Sequence, residues 1–335
     1  MENEIVNNKK EDVNLDSALR PSKWDEYIGQ EKTKANVRLI IDAAKERGET
    51  CDHLLFYGQA GLGKTTLAHL IANEMGANLR ITSGPALEKA GDVAAILSNL
   101  EPHDVLFIDE AHRINKTIEE VLYPALESRK LHLIIGKGPT ARTFSLELPP
   151  FTVIAATTKV SMLSSPLRSR FGATFRLEYY KPEDIEQIIR RSAKILNVGL
   201  KEEAIKELAA ASRFTPRTAN RLLKRARDYA QVYKKSEIDN SAVKNTLDML
   251  EIDSLGLEPA DRELLSIVID KFHGGPVGVK AMSASLHEEM GTIEDVYEPY
   301  LMSIGLLIRT PAGRVATDRA YEHLGKSMKE RRELI

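Results

Sequence analysis

The sequence has very little cysteine and no long apolar run. Cys51 is the single cysteine in 335 residues, so an internal disulfide is excluded. No apolar stretch at the N-terminus resembles a signal peptide, and no run has the length of a membrane span. We therefore expect a soluble cytoplasmic protein without membrane attachment.

The chain also lacks a strong net charge. It has 47 Lys and Arg against 49 Asp and Glu, a formal net charge of −2. Any affinity for nucleic acid must then come from local patches, because there is no global field of one sign. The length exceeds what one hydrophobic core usually supports, so two or three domains are expected.

The pattern of apolar residues changes along the chain. Helix-period segments separate five short apolar runs, at residues 54–57, 79–82, 105–108, 153–156 and 174–177. This alternation predicts an α/β core with a parallel sheet covered by helices. Helical patterns follow from Pro182, and two short apolar strands surround a Pro-Ala-Gly turn near the C-terminus. We expect a disordered arm at 1–16, the core at 17–181, a small helical domain at 182–256 and a third domain at 257–330.

A glycine-rich motif follows the first strand in "LLFYGQAGLGKTTLAHLIA". Its glycines let backbone N–H groups surround phosphate oxygens, and the following helix N-terminus favours negative charge. Lys64 can reach the terminal phosphates, and the Thr65 hydroxyl can bind Mg²⁺. The predicted nucleotide-binding residues of this loop are Gly58, Gly61, Leu62, Gly63, Lys64, Thr65 and Thr66.

A second motif, "DVLFIDEAH", ends an apolar strand in two adjacent acids. Asp109 would lie beside the Mg²⁺, and Glu110 could orient and polarise an attacking water, as phosphoryl transfer requires. His112 has no second ligand at zinc spacing, so we expect it to position Glu110 or contact a neighbour. The predicted cofactors are ATP and Mg²⁺.

Two further segments carry polar residues without an obvious local partner. "FTVIAATTKV" ends in Thr157 and Thr158, either of which could hold the attacking water if this strand lies beside the Asp109 strand. Threonine also simply favours strands. "SSPLRSRFGATF" contains Arg168 and Arg170 with no acidic residue nearby in sequence, which suggests that they await an anion.

In their order and spacing, these motifs together with "FTPRTANRLLKRARD" resemble AAA+ ATPases. The stretches "LRPSKWDEYIGQ", "GKGPTARTFSLELPPFTVIAATT", "GGPVGVKAMSASL" and "TIEDVYEPYLMSIGLLIRTPAGRVATDRAYEHLG" further resemble the RuvB family, bacterial motors that drive branch migration of Holliday junctions. The resemblance covers residues 17–325, approximately. It implies a P-loop AAA+ core, a small helical lid and a C-terminal winged-helix domain, acting in recombination, repair and the SOS response to DNA damage.

The same resemblance implies a homo-hexameric ring with ATP bound between subunits. Arg170 matches the arginine finger that reaches a neighbour's γ-phosphate, with Arg168 as the second choice. Arg217 matches a lid arginine that contacts phosphate in its own subunit, and Thr158 is the threonine we assign to catalysis. The adenine pocket implied by the resemblance is formed by Leu19, Arg20, Tyr27, Ile28 and Tyr180. For Tyr180, packing between domains is an equally good interpretation.

Two surface elements are implied to bind partners. Residues 131–135 and 143–148 form two strand-like arms of a hairpin, and Ile134 and Ile135 would anchor a RuvA-type junction-binding protein, unless they are simply core residues. In the wing, Arg309 and Arg314 would contact the DNA backbone without sequence preference. Ala312 stands where relatives often carry a basic residue, which suggests a weaker contact. Duplex DNA, Holliday junctions and a RuvC-type resolvase complete the implied partners.

Two other function classes use the same ATP chemistry. A clamp-loader or helicase-loader type ATPase would remodel a protein partner, and its activity would respond to that protein without DNA. A nucleotide-gated DNA-binding regulator would bind one sequence and hydrolyse ATP slowly. A winged helix can also dock proteins, because fold does not determine function.

Overall fold

The computed structural model describes residues 17–135 and 142–327. Residues 1–16, where we expect a disordered arm, lie outside this range, as do 328–330 of the expected third domain. The chain divides into two compact units: Met1–Ile188 with Thr215–Arg217, and Ile189–Phe214 with Thr218–Ile335. The expected boundaries after residues 181 and 256 stay predictions.

A parallel sheet forms the centre of the first unit. Its strands are β1 (Leu54–Tyr57), β2 (Leu79–Ser83), β3 (Val105–Asp109), β6 (Thr152–Thr157) and β7 (Ala173–Arg176). Within the described residues their order is β2-β3-β6-β1-β7, with all pairs parallel. Each strand coincides with one predicted apolar run to within one residue at either end, so the predicted α/β core is confirmed. β4 (Lys130–Ile135) and β5 (Arg142–Glu147) form a separate antiparallel pair.

Helices cover this sheet, and local capping explains where several begin. They are α1 (Glu31–Arg47), α2 (Lys64–Met75), α3 (Ala90–Ser98), α4 (Lys116–Ser128) and α5 (Ser165–Arg168). The Asn115 side chain accepts a hydrogen bond from Ile118 N at 3.0 Å, and the Ser164 hydroxyl accepts one from Leu167 N at 3.2 Å. These two caps start α4 and α5 by satisfying N–H groups that the helices leave unpaired.

The core of the first unit lies between the sheet and its helices. Every residue of β6 is buried, because this strand lies inside the sheet with helices on both faces. Leu55, Ile108, Leu122 and Phe151 belong to one continuous apolar cluster that joins three strand regions to α4. A buried central strand ending in polar residues is the arrangement that presents side chains at one edge of the sheet.

Four helices form the lid region: α6 (Pro182–Ile195), α7 (Glu202–Ala210), α8 (Pro216–Val232) and α9 (Asn240–Met249). α7 and α9 pack together, and the Asp239 carboxylate caps α9 by accepting from Ala242 N at 2.8 Å. The helical pattern predicted from Pro182 onward is therefore confirmed. No helix among the described residues is long and apolar enough to cross a membrane.

A winged helix follows. Its elements are α10 (Pro259–Asp270), α11 (Val279–Leu286), α12 (Met290–Thr292), a π-helical turn (Ile293–Tyr297), α13 (Glu298–Ser303), β8 (Leu307–Thr310), β9 (Gly313–Ala316) and α14 (Asp318–His323). β8 and β9 form the antiparallel wing, and Val277 adds a bridge to Arg314. A Cβ on Gly313, whose φ is +143°, would lie 2.5 Å from the Val277 carbonyl oxygen. Glycine at this position therefore allows the segment that contains Val277 to approach the wing closely.

Candidate functional site

The phosphate loop connects β1 to α2. Gly58, Gly61 and Gly63 have φ values of +145°, +82° and +95°. A Cβ on Gly58 would lie 2.5 Å from the Leu177 carbonyl oxygen, so a larger residue would displace the loop. Since α2 begins at Lys64, directly after Gly63, its unpaired N–H groups belong to the same loop. This is the arrangement in which a helix N-terminus binds phosphate.

Lys64 is buried inside this loop, with 8% of its surface exposed. Its Nζ donates to the carbonyl oxygens of Gly58 at 2.7 Å and Gln59 at 2.8 Å. Burial lowers the pKa of Lys64 to about 8; the charge of Asp109 opposes this shift and that of Arg217 adds to it. A desolvated ammonium group held by two neutral carbonyls gains strongly from an anion, so the loop fits a polyphosphate.

Two acids stand at the end of β3. Asp109 is its last residue, and its Oδ1 accepts a hydrogen bond from Glu110 N at 2.9 Å. Glu110 adopts a left-handed φ of +49°, and its Oε2 lies 3.2 Å from Arg113 Nη1. Because the charge of Asp109 acts on Lys64, the two predicted motifs meet in one site. Half of the Glu110 side chain is exposed, which leaves its carboxylate accessible.

Thr157 and Thr158 differ in their exposure to solvent. β6 lies between β3 and β1, and Thr157 at its end is 1% exposed. The Thr157 hydroxyl accepts from Lys159 N at 2.9 Å and lies 3.0 Å from His112 Nδ1. Thr158 is exposed. Thr157 is thus engaged in local hydrogen bonds, which favours Thr158 as the accessible hydroxyl at this edge.

Arg217 reaches the phosphate loop from the first turn of α8. Its Cβ is 3.1 Å from the position that a Cβ on Gly61 would occupy. Its charge also lowers the pKa of Lys64, the effect of a cation near a second cation. Two cations at one glycine-rich loop favour the binding of an anion there.

Aromatic residues enclose the other side of this loop. Tyr180 Oη lies 3.1 Å from Tyr27 Oη and 3.3 Å from the Leu62 carbonyl oxygen. A Cβ on Gly63 would approach Tyr27 Oη to 2.9 Å. Burial raises the pKa of Tyr180 to about 12 and that of Tyr27 well above its usual value, so both hydroxyls stay neutral hydrogen-bonding groups. The other predicted adenine-pocket residues are Leu19, which is buried, and Arg20 and Ile28, which are half-buried.

The two arginines after β6 differ in environment. Arg168 is exposed, whereas the Arg170 side chain is 22% exposed and its Nη2 donates to Glu127 Oε2 at 2.9 Å. Its guanidinium also lies over the Tyr123 ring, 4.5 Å from the centroid. Arg170 therefore has an acidic neighbour within its own chain, although none is near it in sequence.

The two arginines of the wing also differ in exposure and in their ion pairs. Arg309 has 58% of its side chain exposed and lies 3.4 Å from Glu294. Arg314 is buried, and its Nε donates to Glu298 Oε1 at 2.6 Å while Nη2 donates to Glu294 Oε1 at 2.7 Å. Two carboxylates therefore hold Arg314 inside the domain, whereas Arg309 is exposed; the assignment of both arginines to the DNA contact stays a prediction.

The hairpin predicted to dock a partner is present as β4 and β5. Ile134 pairs with Thr143 and Ile135 with Arg142. Residues 136–141, which connect the arms, lie outside the described residues. Phe144 on β5 is 52% exposed, so the hairpin presents at least one large apolar side chain to solvent.

Magnesium binding needs oxygen ligands near the phosphates. Across residues 17–135 and 142–327, no group of three or more His, Cys, Asp and Glu side chains could hold a metal ion. Thr65 in the first turn of α2 and Asp109 at the end of β3 supply a hydroxyl and a carboxylate. Both are the hard oxygen donors that Mg²⁺ prefers, so the residues present fit this ion.

Three family models match consecutive parts of the chain. The Holliday junction DNA helicase RuvB P-loop domain matches residues 19–177, and the RuvB AAA lid domain matches 180–253. The RuvB C-terminal winged helix domain matches 254–325. The chain belongs to the RuvB family. The predicted family and the predicted three-part fold are thereby confirmed.

Solved RuvB structures resemble this chain along nearly its whole length. One is described as the Thermotoga maritima RuvB Holliday junction branch migration motor, with 47% identity and a TM-score of 0.85. The match covers 92% of this chain and 99% of that one. Two mutant forms of Thermotoga maritima RuvB match with the same identity, coverage and TM-score.

Within the RuvB P-loop segment, local motifs indicated Lys64, Asp109 and Arg170 but missed two neighbours of Arg170. Tyr123 and Glu127 contact Arg170 from α4, 43 or more residues earlier in the chain. Their spacing of four residues places them on one helix face, which is the only sign of them in the sequence. Nothing in that spacing indicates which segment faces them.

Proposed function

We propose that this RuvB-family chain is an ATP-driven motor that translocates duplex DNA and promotes branch migration of Holliday junctions in recombination, repair and the SOS response. The match to RuvB models along residues 19–325 carries this proposal, because it includes the lid and winged helix as well as the ATPase core. The absence of membrane-spanning helices from the described residues is compatible with a cytoplasmic site of action.

The nucleotide site would be the phosphate loop. Lys64 would exchange the carbonyls of Gly58 and Gln59 for phosphate oxygens, and Arg217 would add a second cation from α8. Thr65 and Asp109 would hold Mg²⁺, which neutralises phosphate charge when it is bound. Leu19, Arg20, Tyr27, Ile28 and Tyr180 would form the base pocket.

Hydrolysis would be completed at the contact between two copies in a homo-hexameric ring. Glu110 would orient and polarise the attacking water, with the exposed hydroxyl of Thr158 assisting. Arg170 of a neighbouring copy would stabilise the charge that spreads over the transferred phosphoryl group. Because the catalytic residues would come from two copies, ATP turnover would depend on assembly.

DNA and protein partners would bind away from the nucleotide. Arg309 is our candidate for the wing contact with the DNA backbone, since it is exposed. Ile134 and Ile135 on β4 remain our anchors for a RuvA-type junction-binding protein, and a RuvC-type resolvase would join that complex. We propose 17–181, 182–256 and 257–330 as the core, lid and winged-helix domains.

The deciding experiment is ATP-dependent dissociation of a synthetic four-way junction, with and without the RuvA-type partner. We expect dissociation that requires ATP and Mg²⁺ and that increases with the partner. ATPase stimulation by a protein partner alone, without junction dissociation, would instead support a clamp-loader type activity.

A further inference from the structure

Helix α4 presents a polar face to the segment that carries Arg170. Glu119, Tyr123 and Glu127 follow one another at four-residue spacing, so they lie on the same side of the helix. Tyr123 and Glu127 both contact the Arg170 guanidinium. The three side chains and Arg170 form a cluster that the family motifs do not include.

Tyr123 is fixed at its hydroxyl end. Its Oη donates to Glu119 Oε2 at 3.1 Å and lies 2.9 Å from Ser164 Oγ. Glu119 is 3% exposed, and Ser164 is the N-cap of α5, which leads directly to Arg170. The ring is therefore held relative to the backbone from which the arginine extends.

The guanidinium uses its face and its edges for different contacts. Its face lies on the Tyr123 ring at 4.5 Å from the centroid, while Nη1 donates to Pro166 O at 2.6 Å and Nη2 to Glu127 Oε2 at 2.9 Å. Arg170 Nε is buried without a hydrogen-bond partner among the described residues. Because stacking on a ring occupies no N–H group, the face contact is compatible with an anion at the edge.

The contact with Glu127 is weak by comparison. The Glu127 side chain is 67% exposed, and an ion pair exposed to solvent contributes little to stability and less at high salt. A phosphate carries more charge than a carboxylate and accepts several charge-assisted hydrogen bonds. An approaching phosphate can therefore displace Glu127 while the Tyr123 ring stays in place.

We propose that Tyr123 is a positioning residue for the Arg170 finger and that Glu127 occupies the place of the neighbour's γ-phosphate until subunits assemble. Tyr123 holds the guanidinium plane, and Glu127 neutralises its edge in the lone subunit. This inference rests on the proposed function, in which Arg170 acts on the ATP of an adjacent copy.

The first test compares Tyr123→Leu with Tyr123→Phe in the full chain. The loss of a face contact should lower kcat of the ATPase about five- to thirtyfold in Tyr123→Leu, with KM for ATP changed by no more than about twofold. Phe keeps the ring face, so Tyr123→Phe should recover most of kcat. Equal losses in both variants, or a change confined to KM, would overturn the positioning role; thermal melting checks that each variant folds.

The second test concerns Glu127, with Glu120→Gln as a matched control because Glu120 is an exposed acid on the same helix. Glu127→Gln should lower the protein concentration for half-maximal ATPase by up to about fivefold, since the competing carboxylate is gone. The control should not change it. A loss of kcat in Glu127→Gln as deep as that in Arg170→Ala would contradict the placeholder role.

Mixed assemblies distinguish this inference from the proposed function. Lys64→Ala chains supply an intact finger, and Arg170→Ala chains supply an intact phosphate loop, so mixing them should restore ATPase. Adding Tyr123→Leu to the Lys64→Ala chain should lower the restored activity about five- to thirtyfold, as in the uniform assembly. No restoration in the first mixture would refute the shared site itself, whereas equal restoration in both would refute only the role of Tyr123.

Discussion

The charge of the phosphate loop depends on pH through the protonation of the Lys64 ammonium group. Burial lowers its pKa to about 8, so the ammonium is charged below pH 8 and loses its proton as the pH rises through that value. Binding of ATP requires the charged form. We therefore expect ATP affinity to fall by up to about tenfold per pH unit above 8, measured by titrating a fluorescent ATP analogue between pH 7 and 9.5.

The control for this titration is Lys64→Arg. Arginine stays charged throughout this range, so its affinity, although weaker, should not vary with pH. The same slope in both proteins would mean that another group causes the pH dependence.

The positions of candidate site residues were predictable where one short motif contains them. Lys64 begins the helix after the loop that follows β1, Asp109 is the last residue of β3, and the parallel sheet brings these strand ends to one edge. Glu127 was not predictable, because its contact with Arg170 depends on how α4 packs against α5. Local patterns specify a side chain's own element but not the element that faces it.

At the scale of elements, the turn from β1 into α2 depends on a glycine. In Gly58→Ala, the new Cβ would meet the Leu177 carbonyl oxygen at 2.5 Å in a left-handed backbone. Such strain costs about 1–3 kcal/mol, so we expect a lower melting temperature and weaker ATP binding. The matched control is Gly91→Ala in α3, where a Cβ meets nothing within 4 Å. Equal effects of the two substitutions would contradict the close approach.

In the wing, we expect Arg314 to stabilise the fold and Arg309 to contact DNA. Arg314→Ala would leave Glu298, which is 2% exposed, without its partner, and breaking a buried ion pair costs about 3–5 kcal/mol. Arg309→Ala should change the free energy of unfolding by less than about 0.5 kcal/mol but reduce the salt dependence of DNA binding by about one counterion. Urea unfolding and DNA titrations at several salt concentrations measure both quantities; a stable Arg314→Ala protein would contradict the structural role.

Strand positions were predictable because a buried parallel strand is continuously apolar. This holds for the inner strands β1, β3 and β6, which helices cover on both faces. The edge strands β2 and β7 have no fully buried residue, yet they also coincide with predicted runs. The burial of Arg314 was not predictable in this way. It depends on Glu294 in the π-helical turn and Glu298 in α13, whose position over β9 follows from packing of the whole domain.

At the scale of the whole molecule, the proposed reaction centre belongs to two copies. ATPase activity per chain should then rise with protein concentration and fall toward zero on dilution, because dissociation removes Arg170 from the site. Activity measured at a fixed saturating ATP concentration over a wide dilution range, with crosslinked assemblies as the control, checks this expectation. A constant activity per chain would show that one copy suffices.

The strand order also sets the distance between the two motifs of the proposed nucleotide site. β6 alone separates β1, which leads into Lys64, from β3, which ends in Asp109. Neighbouring strands are about 4.8 Å apart, so these two backbones run about 10 Å from each other. A distance of two strand spacings admits a chain of phosphates lying across the sheet edge, and backbone hydrogen bonds between the strands, which depend little on the identity of the side chains, maintain it.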